Sequence, residues 1–376
     1  MALDVSHAGL TAPDCEQLVG ALERARALTL ELVAHLDDEQ LERVHSSIMS
    51  PLVWDLGHIA AYEDLWMAHR VGGLELLRED LASVYDAFET PRAVRGEIEV
   101  LDARAVREYM SAVRERTIGV LASGAGEGTI AEMVVRHELQ HGETMRQTLA
   151  IAGLLADGEG MLDALEGVQE WCDVPGGAFP MGSSAEGFAY DNERPRHERE
   201  TQAFRIARLP VSNEEWLQFA GEGGYARREW WSEEGWAWKL ENDVGADPGI
   251  SSGNPRAAAC HVSCYEADAF ARSRSARLPS ETEWEKAATL GTDGAGVLAG
   301  RGQVWEWTRS TFEAYPGFVA FPYREYSEVF FGERYRVLRG GSWATDARVA
   351  SPRFRNWDLA QRRQIFAGVR LACAAA

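Results

Sequence analysis

Residues 129–149, TIAEMVVRHELQHGETMRQTL, decide how the first half of the chain is read. Apolar side chains return every third and fourth position, the period of a helix with one inward stripe. Thr129 and Glu132 have the spacing of a capping box that would start it. Ile130, Met133, Val134, Thr144, Met145 and Thr148 form the stripe, and His137 and His141 fall on it. Being four residues apart, their imidazoles leave the helix from one face. Two neutral imidazoles one turn apart on an inward face can hold one metal ion. Two core histidines satisfied by neighbouring carboxylates would give the same letters.

Three further helical stretches precede this one. Asp14 can cap the run from Cys15 to Leu36, and Ser50-Pro51 offers a capping hydroxyl and a first-turn proline to LVWDLGHIAAYEDLWMAHR. A third runs from Asp102 to Ala122, and the break SGAGEG separates it from the fourth. Four amphipathic helices in this span predict a four-helix bundle. HELQH also fits the zincin pattern, which needs Glu138 as general base and a third ligand downstream. Downstream only His197 and His261 remain, whereas His58 lies upstream in the middle of the second helix. Three imidazoles leave three positions open on an octahedral metal, which suits Fe(II) with a thiolate and dioxygen; zinc fits the ligand type equally.

From Val174 the pattern changes. Glycine, proline and tryptophan become frequent, and eleven of the thirteen tryptophans follow residue 170. The apolar runs shorten to VPGGAFPMGS, FRIARLPVSN, YRVLRGGSW and FAGVRLACA, with helical patches at 213–221, 263–273 and 281–290. This predicts an α+β domain of short strands and long ordered loops, with the boundary in 156–173.

Composition narrows the function. The chain has 376 residues and a formal charge of −21, with Lys239 and Lys286 its only lysines. Roughly two domains fit that length. So acidic a balance excludes a nucleic-acid binder, since no surplus cation is present to displace phosphate counterions. No apolar run reaches about 18 residues, and MALDVSHAGL lacks a basic, then apolar, leader, so a cytoplasmic protein with no membrane partner is expected. Cys15, Cys172, Cys260, Cys264 and Cys373 are too few and too scattered for a disulfide framework or a structural zinc site.

The histidine pattern, together with VPGGAFPMG (174–182), YPGFVAFPYREYSEVFF (315–331), RVLRGGSW (336–343), FRNWD (354–358) and RRQIFAGVR (362–370), resembles the ergothioneine-pathway sulfoxide synthases of the EgtB type. The resemblance covers nearly the whole chain. It implies a multidomain α and α+β protein. A DinB-like four-helix bundle, residues 1–160, would carry the iron ligands. A formylglycine-generating-enzyme-like (C-type-lectin-like) α+β domain would follow at 174–376. Members of the family are non-heme iron monooxygenases. They use O2 to join the sulfur of a cysteinyl substrate to C2 of the hercynine imidazole, with oxidation to a sulfoxide. The branch using γ-glutamylcysteine is the one resembled most.

Carried onto this sequence, the resemblance makes His58, His137 and His141 the iron ligands and Tyr323 the catalytic tyrosine, with Tyr326 beside it. Gln140 would hold the hercynine imidazole, Asn356 and Asp358 would meet hercynine and the γ-glutamyl amino group, and Arg92 and Arg95 would clamp carboxylates. Planar guanidinium suits a carboxylate. A phenol can supply the proton, with or without an electron, that diverts thiol oxygenation towards C–S bond formation.

The chain also departs from the pattern. Formylglycine generation needs two cysteines after RGGS, and Thr345 and Ala350 stand there instead, which excludes that activity. Only TDGAGVLAGR links EWEKAATLG to GQVWEWT, a shortened connection, and Gln303 replaces the usual acidic or amide residue. A structural calcium held by Gln303, Val304 and Glu306 stays open. So do cysteine or a selenosugar as donor, and a metal- or thiol-binding module without catalysis. A monomer is expected.

Overall fold

The structure is a computed structural model that describes residues 12–124, 128–245, 250, 253–290 and 296–375. The N-terminal MALDVSHAGL, the centre of SGAGEG and the first part of TDGAGVLAGR lie outside the described residues. The chain divides into two compact units between Glu159 and Gly160.

The first unit holds helices α1 (Ala12–Leu32), α2 (Asp38–Glu42), α3 (Leu52–Glu63), α4 (Ala103–Ala122) and α5 (Gly128–Ala152). A π-helical stretch, Asp64–Val71, continues α3. Asp102 caps α4, its carboxylate accepting from the Ala105 amide at 2.7 Å. Two other starts differ from expectation. Thr129 lies inside the first turn of α5 rather than at its cap. Pro51, not Ser50, is the cap of α3, and the Ser50 hydroxyl accepts instead from Arg95 Nη1 at 2.9 Å.

Leu52, Val53, Leu56 and Ile59 of α3 pack with Val106, Met110 and Val113 of α4 and with Met145 and Leu149 of α5. Each such burial contributes about 1.5–3 kcal/mol. Among these apolar layers sits a buried network of four charges, one from each long helix. Arg26 donates to Glu138 at 2.7 Å and to Glu63 at 2.8 Å; Arg114 donates to the same two carboxylates at 2.7–2.9 Å. Two cations and two anions leave it neutral, the condition under which burying charge is tolerable. Glu138 is therefore a tie between helices and not a general base.

Among the described residues, the second unit contains three small sheets. Strands β1 (Trp171–Val174), β4 (Phe204–Ala207) and β9 (Ala372–Ala374) form one, in the order β1-β4-β9. Strands β2 (Gly177–Met181) and β3 (His197–Thr201) form a hairpin. The third has the order β7-β6-β5-β8, from β5 (Trp305–Phe312), β6 (Gly332–Arg339), β7 (Asn356–Leu359) and β8 (Ala367–Gly368), with β5 and β8 parallel. Helices α6 (Asn213–Gly221), α7 (Glu233–Glu241), α8 (Cys264–Ser273) and α9 (Glu281–Thr289) accompany them. The unit also begins earlier than Val174. The Leu165 amide donates to Arg256 O at 2.8 Å, and Leu162 and Leu165 pack against Leu209, Ala258 and Val304.

Three fully buried arginines brace this unit. Arg339 pairs with Glu285, Arg355 grips Glu281 through two bonds of 2.9 Å, and Arg370 grips Glu306 through two of 2.6 Å. Glu306 also accepts from Trp284 Nε1 at 2.5 Å. The Gln303 side chain bonds the Ala258 amide and Asp163 O. With Glu306 already neutralised by a guanidinium, these residues do not fit a calcium site. No described helix is long and apolar enough to cross a membrane, and all five cysteines are free.

Candidate metal centre

The sequence WDLGHIAAYE puts Asp55, His58 and Tyr62 on one face of α3 at spacings of three and four. On α5 the same spacing aligns His137 and His141. The two faces meet. The ligand atoms of His58, His137 and His141 all lie within 4.8 Å of one another, and His137 Nε2 is 3.2 Å from His58 Nε2.

The surroundings orient each ring. His58 Nδ1 lies 2.6 Å from the carbonyl oxygen of Tyr85. A carbonyl only accepts, so Nδ1 carries the hydrogen and Nε2 presents its lone pair to the cluster. His141 Nδ1 lies 3.2 Å from Asp55 Oδ1, a carboxylate–histidine arrangement that leaves Nε2 for a ligand. Tyr62 stacks on His137 with ring centroids 3.6 Å apart, and Trp54 on His58 at 4.9 Å. Burial, then the neighbouring His141, pushes the His58 pKa well below its ordinary value. Burial, followed by His141 and His58, does the same to His137. Both rings are thus neutral at physiological pH, as metal ligands must be. Three imidazole nitrogens in this arrangement fit a divalent transition metal.

Family models match both units: DinB superfamily over 21–145, and the sulfatase-modifying factor enzyme 1-like domain over 161–296 and 293–375. The hercynine oxygenase of Mycobacterium tuberculosis is 38% identical over 96% of this chain and 99% of its own length. That of Mycolicibacterium thermoresistibile is 39% identical over 97% and 96%. The chain belongs to the hercynine oxygenase family. It is an oxygenase of the EgtB type. The Schizosaccharomyces pombe ergothioneine biosynthesis protein 1 is 27% identical over 49% of this chain and 27% of its own length. The alignment to the Mycobacterium tuberculosis hercynine oxygenase runs over 429 residues, more than the 376 here, so that relative has segments this chain lacks.

The other residues named from the sequence fall in two groups. In the first unit, Gln140 is half-buried on α5, one position before His141. Arg92 is exposed at the start of a short 3₁₀ turn, Arg92–Val94. Arg95 is buried: it donates to Thr90 O at 2.9 Å, Ser50 Oγ at 2.9 Å and Ala87 O at 3.3 Å. Its guanidinium lies 3.5 Å from the Trp54 ring, the indole that also stacks on His58. Burial lowers its pKa to about 10.

In the second unit, Tyr323 precedes the 3₁₀ turn Arg324–Tyr326, and its ring meets that of Tyr326 edge-on at 6.2 Å. Asn356 and Asp358 lie on β7, on the face opposite Trp357 by strand alternation. The Trp357 ring stacks on Phe312 at 4.2 Å and meets Tyr326 at 6.1 Å. Asp358 accepts from Gln364 Nε2 at 3.3 Å. Thr345 and Ala350 both flank Gly341 and carry no thiol for formylglycine chemistry.

Sequence reading missed Asp55 and Tyr85. Asp55, three residues before His58, is legible as a same-face carboxylate. Tyr85 acts through its backbone and left no signal in its own side chain.

Proposed function

We propose that this hercynine oxygenase is an iron(II)- and O2-dependent sulfoxide synthase that joins hercynine to γ-glutamylcysteine, with His58, His137 and His141 holding the iron. The observation that carries the reading is the three-imidazole cluster with the His58 tautomer set by Tyr85 O. When bound, Fe(II) supplies electrons and open positions for the thiolate and O2. The overall reaction balances without an external reductant. The imidazole C2–H and the S–H are lost, a C–S and an S–O bond form, and the second oxygen atom leaves as water.

The remaining residues bind substrates and move a proton. Tyr323 donates from its phenol to the oxygen being reduced, with Tyr326 forming a wall beside it. Gln140 hydrogen-bonds the hercynine imidazole. Asn356 and Asp358 take the ammonium groups of the substrates, and Arg92 takes a carboxylate of the donor. Arg95 has two N–H groups beyond the three used within the chain, enough for a single further carboxylate contact. In a second reading the donor is free cysteine, whose single carboxylate would leave one of the two arginines without a substrate partner.

Protein loaded with Fe(II) under anaerobic conditions and then aerated with hercynine and either thiol separates these readings by mass spectrometry. A sulfoxide adduct with γ-glutamylcysteine supports the first, and an adduct with cysteine alone supports the second. No adduct from either overturns both.

A further inference from the structure

The segment carrying Tyr323 has little regular structure to hold it. Val319 is 77% exposed, Arg324 and Glu325 are exposed, and its only regular elements are two 3₁₀ turns, Arg324–Tyr326 and Glu328–Phe330. Besides the ring contacts of Tyr326 and Phe330 with Trp357, it is held by a turn more than a hundred residues earlier, Asp191–Glu193. Asp191 Oδ1 accepts from Ser327 Oγ at 2.5 Å and from the Asn192 amide at 2.7 Å; Oδ2 accepts from the Phe321 amide at 3.3 Å. Phe321 and Ser327 stand two residues before and four after Tyr323. One buried carboxylate thus grips both ends of the loop.

Its neighbours complete the clamp. Asn192 Nδ2 donates to Ser327 Oγ at 2.9 Å, and the Tyr190 ring stacks on Tyr326 at 4.5 Å and 9°. The turn itself rests on a rigid base, since Arg355 donates to Asn192 O at 2.7 Å while gripping Glu281.

We propose that Asp191 is the positioning residue for Tyr323 and so governs whether the thiol leaves as C–S-bonded sulfoxide or as sulfinic acid. This rests on the role of Tyr323 proposed above. Sulfinic acid is the balanced default: a thiol and O2 give RSO2H, both oxygen atoms going to sulfur with no other reactant. C–S bond formation instead needs the phenol's proton at the right place, and displacing a catalytic group by about 1 Å costs on the order of 100-fold. Loosening the clamp should therefore slow one branch and leave the other running.

The test compares the wild-type holoenzyme with Asp191→Asn, Ser327→Ala and Tyr323→Phe, each loaded with Fe(II) and aerated with hercynine and γ-glutamylcysteine. Asp191→Asn would set an amide donor against the Phe321 amide, and Ser327→Ala removes the other anchor. Both variants should raise the sulfinate-to-sulfoxide ratio about ten-fold or more, towards the Tyr323→Phe value, with iron content and hercynine KM within about two-fold of wild type. A wild-type ratio in both, even with a lower kcat, means a merely structural role and overturns the inference. Should Asp191→Asn melt below the assay temperature, Ser327→Ala alone decides. An unchanged ratio in Tyr323→Phe overturns the tyrosine's role and the inference with it.

Discussion

His58 Nδ1 and the carbonyl oxygen of Tyr85 are 2.6 Å apart, and the glycine beside His58 is what lets them meet. A Cβ built on Gly57 would lie 2.2 Å from Cζ of the Tyr85 ring. The ring therefore lies directly against the α3 backbone. The Leu101 amide, donating to the Tyr85 hydroxyl at 3.0 Å, holds it there. A backbone carbonyl, a glycine and a distant amide together decide which nitrogen of His58 faces the cluster.

Gly57→Ala should consequently weaken metal binding without unfolding the bundle. The tyrosine must move, the carbonyl moves with it, and His58 loses the partner that sets its tautomer. Losing such an outer partner costs about 10–100-fold in metal affinity. Anaerobic Co(II) titration followed by visible absorption would measure it, with circular dichroism to show that helicity persists. Wild-type affinity in this variant would mean that Tyr85 O does not orient the ligand.

Asp55→Asn tests the other oriented ring. The carboxylate fixes the orientation of the His141 ring through Nδ1. The amide keeps the shape and removes the charge. Affinity for Co(II) should fall about 10-fold or more, and by more again in Asp55→Ala. Equal affinities for all three proteins would remove Asp55 from the centre.

How far these features were legible depends on what kind of contact makes them. Periodic side chains could be read: α5 and its two histidines follow from spacing alone, and Asp55 shares the face of His58 by the same rule. Short-range chemistry misled in places, since Ser50 looks like a cap and instead accepts from Arg95, 45 residues on. Helix α7, EEGWAWKLE, gave no signal because only Gly235 of it is buried and no apolar stripe exists to see. Glu306 reads as a free oxygen donor until Arg370, 64 residues later, is found on it. Side chains paired through distant chain segments, and backbone carbonyls above all, leave no local pattern.

Glu138→Gln distinguishes the structural tie from a zincin-like base. Glu138 accepts from both Arg26 and Arg114 inside the bundle, and removing its charge leaves two buried guanidiniums with one carboxylate. Breaking such a buried network costs about 3–5 kcal/mol. Thermal unfolding should show a large drop in Tm, while the variant, studied below that temperature, keeps its Co(II) affinity. An unchanged Tm with abolished turnover would instead make Glu138 a catalytic base.

Asp191 gives the pH dependence. Burial, reinforced by the nearby Glu328, raises its pKa to about 6, against the opposing pull of its hydrogen bonds from Ser327, Phe321 and Asn192. The folded pKa thus lies above the unfolded value of about 3.9. Its favourable contribution is full below that value and is lost as pH rises through about 6, so the charged carboxylate is carried at a cost near neutrality. A shift of this size corresponds to about 2–3 kcal/mol. Relative to wild type, Asp191→Asn should therefore gain stability as pH rises from 5 to 8, measured by urea unfolding at each pH. Protonation also removes one of the acceptors that hold the Tyr323 loop. Below about pH 6 the wild-type enzyme should release a growing share of sulfinate, while the product ratio of Asp191→Asn stays flat. A flat ratio in both proteins across that range would mean that the carboxylate's charge does not hold the loop.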